Sequence, residues 1–106
     1  MKHERTKATS IPPKVREEVE ERDKHRCIFC GSTDARGEAH FVRRSQGGLG
    51  IPQNILTVCR KHHRLLDEGP NKEWYQEKAR EYLKSMYPDW DEKELVYNKW
   101  SGLKYQ

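Results

Sequence analysis

The sequence predicts a small α+β fold, a β-hairpin followed by a helix, held together by more than its own core. Three observations predict it. The first is size: 106 residues, 33% hydrophobic and 36% charged, make one domain whose modest core calls for a metal or disulfide staple. The second is cysteine spacing, with Cys27-Ile28-Phe29-Cys30 followed after 28 residues by Cys59-Arg60-Lys61-His62. The third is a pair of short strand-like segments flanking a glycine-rich loop, with a helical pattern directly after them. No apolar run approaches the ~18 residues that span a bilayer, and seven glycines exclude a collagen-like chain. Met1–Lys14 lacks the apolar stretch of a secretory signal, so the expected compartment is the cytoplasm.

Along the chain, residues 1–10 show no pattern and read as a flexible basic arm. Ile11-Pro12-Pro13 opens a short helix, because proline is tolerated in a first turn. Val15 and Val19 share one face of it, and Glu18 stands four before Arg22. Asp23–Arg26 ends that helix. Cys27–Gly31 is a knuckle-like turn in which Gly31 relieves the backbone. Arg36–Arg44 alternates as a strand, with Ala39 and Phe41 opposite His40 and Val42. Ser45–Gly50 is the glycine-rich loop, and Ile55–Val58 is the returning strand. Cys59–Asp67 is a helix closed by Gly69-Pro70.

The C-terminal third is helical. Asn71 caps a helix whose Tyr75, Ala79, Tyr82, Leu83 and Met86 form an apolar stripe, ended by Pro88. Asp91 and Glu94 resemble a capping box, opening a last helix with Leu95, Val96 and Trp100 on its buried face. Such a stripe is far more often core than a cofactor site, and is read as core. The domain thus divides into an arm (1–10), a stapled core (11–69) and a helical extension (70–106).

Three thiolates and one imidazole complete a tetrahedral zinc site of the Cys3His type: Cys27, Cys30, Cys59 and His62. A redox pair at Cys27 and Cys30 would leave the second half-site unexplained. His62 and His63 are adjacent and cannot both reach one ion from a helix, and the C-x2-H spacing gives His62 to zinc.

Charge is unevenly spread. Lys24–Leu66 holds eight Lys and Arg against Asp34 and Glu38, whereas 67–106 holds seven basic and nine acidic residues. The same basic segment carries the three cysteines and four of the five histidines. A basic patch beside a metal site points to a polyanion, most commonly nucleic acid.

The segment Glu38-Ala39-His40, Gly47-Gly48, Asn54 and Cys59-x2-His62-His63 resembles the HNH family of metal-dependent endonucleases, whose core is the ββα-metal fold. The resemblance covers about half the chain, from Val15 to Asp67, and Tyr87-Pro88-Asp89-Trp90 resembles tails of small phage and prophage members. It implies a DNA endonuclease or nickase with little sequence preference, catalytic roles for His40, Asn54 and His63, and backbone contacts to DNA. His40 would be the general base, since a neutral imidazole can take a proton from water near neutral pH. His63 and Asp67, four apart on a helix, would face one divalent cation. Asn54 would either ligate that ion or hold the loop that aims His40. Arg43, Arg44 and Lys61 would contact phosphate.

Two departures from the family pattern matter. A ligand often precedes the base, and here that position is Ala39. The fourth zinc ligand, often cysteine, is His62. The catalytic cation would then be magnesium or manganese, which tolerate a water-rich shell, with nickel or zinc as further candidates. If the strand faces the site, a carboxylate introduced at position 39 would restore a ligand. The alternative reading is a zinc-stabilised nucleic-acid-binding module without catalysis, and a third is a zinc interaction module. Other phage DNA-processing proteins in a bacterial host are partners by family analogy alone.

Overall fold

The computed structural model describes residues 2–97. Its elements are α1 (Lys2–Thr9), α2 (Pro13–Arg22), β1 (Ala35–His40), β2 (Ile55–Cys59), α3 (Arg60–Glu68) and α4 (Lys72–Met86). Single 3-10 turns lie at Arg44–Gln46, Pro52–Asn54 and Glu92–Leu95. β1 and β2 pair antiparallel, from Ala35 opposite Cys59 to His40 opposite Ile55. The two-stranded sheet is therefore α+β in class, with helices on both of its faces. No helix among the described residues is long and apolar enough to cross a membrane.

β2 is buried on both sides because its residues alternate between two layers. Leu56 and Val58 join a core with Ala39, Phe41, Leu66, Ala79, Leu83 and Leu95. On the opposite face, the Thr57 hydroxyl donates to the Val19 carbonyl of α2 at 3.4 Å. Leu56, Leu66, Leu83 and Leu95 are at most 1% exposed, and burying each contributes ~1.5–3 kcal/mol relative to exposure. β1 changes face partway along: the register slips between Gly37 and Ala39, so Glu38 forms a bulge. Gly37 consequently lies against Arg16, Val19 and Glu20, while Ala39 turns into the main core.

Several expectations are revised. The N-terminal arm is helical over Lys2–Thr9, and its end docks by backbone hydrogen bonds that hydropathy patterning does not register. Arg22 does not spend its charge on Glu18. It turns inward to Asp23, the Pro52 and Ile55 carbonyls (both 2.8 Å) and the Tyr87 hydroxyl (3.1 Å). Asp23, fully enclosed, also accepts the Thr57 amide and the Tyr82 hydroxyl. Burial and that carboxylate push the Tyr82 phenol up to about 12.

β1 stops at His40 rather than Arg44, because the chain enters a 3-10 turn. Asn71 precedes α4 without a side-chain cap, and Gly69 has φ −74°, outside the left-handed region. The last helix is a single 3-10 turn whose Asp91 side chain accepts from the Lys93 amide. Leu95 is buried, but Val96 is 37% exposed and bridges to Gly48 instead. Met86, at 41% exposure, also lies off the core. Trp100 lies outside the described residues.

Candidate metal centre and adjoining cleft

The chain builds the knuckle from a turn of unusual backbone. Lys24 and His25 both have positive φ, 59° and 56°, and the chain reverses there into Cys27. The Gly31 amide then donates to the Cys27 carbonyl at 2.8 Å, and the Phe29 amide to the Cys27 sulfur at 3.4 Å. The Ile28 amide ties the turn to the Thr57 carbonyl of β2 at 3.0 Å. Cys59 ends β2 and stands at the cap of α3, which puts His62 one turn along that helix.

Among the described residues, Cys27, Cys30, Cys59 and His62 are the one group whose ligand atoms all lie within 4.8 Å of one another. The Cys30 and Cys59 sulfurs are 3.8 Å apart, and Cys59 Sγ lies 3.2 Å from His62 Nδ1. Thiolates each ~2.3 Å from a tetrahedral zinc are separated by ~3.8 Å. A disulfide would require ~2.05 Å. The cluster can hold a structural metal ion and is consistent with zinc, with Nδ1 as the histidine ligand. Burial and the Lys61 charge hold His62 below the ordinary histidine range, favouring the neutral ring that ligation needs. The ring also packs on Phe29 and Tyr75, with centroids 5.5 and 5.6 Å away.

His63, next in sequence, points elsewhere. It lines a cleft of roughly 590 Å³ together with Arg16, Glu38, His40, Arg43 and Asp67. His63 Nε2 is 3.5 Å from Asp67 Oδ2, both side chains being about two-fifths exposed. The i,i+4 spacing therefore does place the two on one face. His40 Nε2 lies 2.8 Å from the Thr9 carbonyl. Since a carbonyl only accepts, that nitrogen carries the proton and Nδ1 is the ring's acceptor. Burial holds His40 below the ordinary histidine range, with Arg44 and His63 adding to the effect and the Thr9 carbonyl and Asp67 opposing it.

Other expected residues fall differently. Asn54 is 0% exposed. Its Oδ1 accepts the Val42 amide at 2.8 Å, and its Nδ2 donates to the Leu49 and Val42 carbonyls at 2.8 and 3.2 Å. These bonds hold the loop after β1, and Asn54 does not line the cleft. Ala39 is 0% exposed within the main core. At that position the strand faces away from the cleft, since Ala39 alternates with His40, which lines it. Arg43 donates to the Asp67 carbonyl. Arg44 is committed to the Thr6–Ser10 segment. Lys61 is exposed and does not line the cleft.

Sequence reasoning missed Arg16, Glu38 and Thr9. Arg16 Nη2 pairs with Glu38 at 3.3 Å, while its Nε is buried without a partner among the described residues. The signal was present: Arg16 stands three before Val19, on the α2 face turned toward the sheet. Glu38 and His63 also line a second hollow of roughly 660 Å³ that adds Arg36 and Arg60. The groove therefore has arginines on either side of His63.

No family model, curated protein or solved structure matches this chain.

Proposed function

We propose that this chain is an HNH-type, metal-dependent DNA endonuclease or nickase with low sequence preference. The observation that carries the reading is the meeting of His40, His63 and Asp67 in one cleft beside a Cys3His cluster. These residues come from β1 and α3, as the HNH resemblance requires.

In this reading His40 Nδ1 takes the proton of an attacking water, its ring fixed through Nε2. A divalent cation between His63 and Asp67 would supply charge neutralisation at the phosphate and at the departing 3′-oxygen. The carboxylate and imidazole are already turned toward each other at 3.5 Å. Asn54 contributes by fixing the Val42–Leu49 loop and not as a ligand. Arg43, beside the Arg16–Glu38 pair, gives the cleft a cationic side that suits backbone phosphate, which carries affinity without sequence information. The structural zinc would join the knuckle to the start of α3, so that helix is fixed before any cation binds the cleft.

One observation favours the second reading, a nucleic-acid-binding module without cleavage. With Asn54 and Ala39 both buried, neither adds a ligand to the His63–Asp67 pair in the cleft. A plasmid assay across magnesium, manganese, nickel and zinc, with His40→Ala as control, decides between the two. Nicking that needs added cation and vanishes in the control supports the nuclease. Salt-sensitive binding without cleavage supports the module.

A further inference from the structure

The end of α1 is built into the cleft wall. Thr9 is 2% exposed, and its carbonyl receives His40 Nε2–H at 2.8 Å. Arg44 reaches the same stretch twice: Nε donates to Thr9 Oγ1 at 3.1 Å, and Nη2 to Ser10 Oγ at 2.8 Å. The Gly50 amide donates to the Ala8 carbonyl at 3.0 Å. A Cβ on Gly50 would lie 1.9 Å from the Ser10 carbonyl oxygen, so only glycine allows that approach. The loop from Arg44 to Gly50 thus grips a backbone segment whose carbonyl decides which His40 nitrogen carries the proton.

Building on the nuclease reading, we propose that Arg44 is a positioning residue that acts on His40 through Thr9, and not a phosphate contact. Its Nε and one Nη are already committed to hydroxyls of the chain, which removes the two-pronged fork that makes arginine a strong phosphate ligand. Arg43, tied through one Nη to the Asp67 carbonyl, remains for that task. If Thr9 drifts, the two neutral tautomers of His40 compete, and Nε2 no longer keeps the proton by default.

The test uses full-length, zinc-loaded Arg44→Gln, Arg44→Lys and Gly50→Ala, the last displacing Ser10 without touching either side chain. Three quantities are read: imidazole nitrogen chemical shifts of His40 at one fixed pH, affinity for a short DNA duplex, and nicking rate with manganese. All three variants are expected to keep zinc and near-native affinity, to lose the Nε2–H signature, and to lose about tenfold or more in kcat. An unchanged tautomer, with binding weakened in Arg44→Gln and spared in Arg44→Lys, would overturn the proposal. Should Gly50→Ala unfold, the two Arg44 variants still decide the matter, since lysine keeps the charge but cannot span Thr9 and Ser10. A wild-type protein that does not cut refutes the nuclease reading alone, because the tautomer shift still reports whether Arg44 positions His40.

Discussion

Two neighbouring histidines on α3 serve two unlike regions. His62 belongs to a cluster of four ligand atoms drawn within 4.8 Å. His63 belongs to an open cleft where its nearest ionisable partner, Asp67, stands 3.5 Å away and both are partly exposed. The first region offers a complete tetrahedral set and packs its histidine against two aromatic rings. The second brings His63 and Asp67 together in a cleft that arginines, Glu38 and Glu68 also line. A closed ligand set suits a metal that holds structure, and an incomplete one suits a metal that must meet a substrate. The difference is made by one residue step along a helix, ~100° of rotation.

That contrast can be broken most severely at the knuckle. Structural zinc sites of this kind supply on the order of 10 kcal/mol of folding energy. Cys27→Ser should therefore lose zinc, helicity by circular dichroism and its cooperative melting transition together. A variant that lost the metal yet melted normally would erase the distinction.

The cleft should behave oppositely. His40→Ala is expected to keep zinc and melting temperature while cleavage falls by about 10²–10⁴. Because burial lowers the His40 pKa, the base proposed above stays neutral into mildly acidic solution. The acid limb of the rate profile should then lie below ~6.5, the ordinary histidine value. A limb at or above that value would contradict the placement of His40.

A third substitution separates core from cleft on the same strand. Ala39→Asp places a carboxylate where the side chain is 0% exposed. It should cost several kcal/mol in denaturant unfolding, and it should not lower the cation concentration for half-maximal nicking. Improved cation use would mean that β1 does face the cleft. The smallest effect is expected at Asn54→Ala, which strips hydrogen bonds from the Val42 amide and the Leu49 carbonyl. A loss of about 1–3 kcal/mol follows from leaving buried groups unsatisfied, with cleavage reduced only through the loosened loop. Loss of bound cation without loss of stability would return Asn54 to the ligands.

What the sequence made legible was whatever depends on short, regular spacing. The C-x2-C and C-x2-H half-sites brought together the four residues that cluster, and the i,i+4 spacing placed His63 and Asp67 on one helical face. Two kinds of information were hidden. A bulge has no period of its own, so Glu38 put Gly37 against α2 and Ala39 into the main core, although the two stand two residues apart. Contacts made through backbone, such as Thr9 on His40 and Ala8 on Gly50, leave no side-chain pattern to read. For this reason α1 looked like an unstructured arm. Arg22 misled for a third reason: its helical neighbour Glu18 was an available partner, but a buried Asp23 and two carbonyls outcompete an exposed one.

The glycine-rich loop after β1 invites the opposite of its usual interpretation. A Cβ on Gly48 would stand 1.7 Å from the Val42 carbonyl oxygen, so the loop doubles tightly on itself. The Leu49 amide is tied to the Leu95 carbonyl and the Tyr97 amide to the Gly47 carbonyl. Glycine here grants proximity and not motion. A loop fastened this way cannot swing as a lid, so a ligand meets a doorway already open. If DNA is the ligand, as proposed, its association should proceed in one step, with an observed rate that rises linearly with concentration and is governed by encounter and charge.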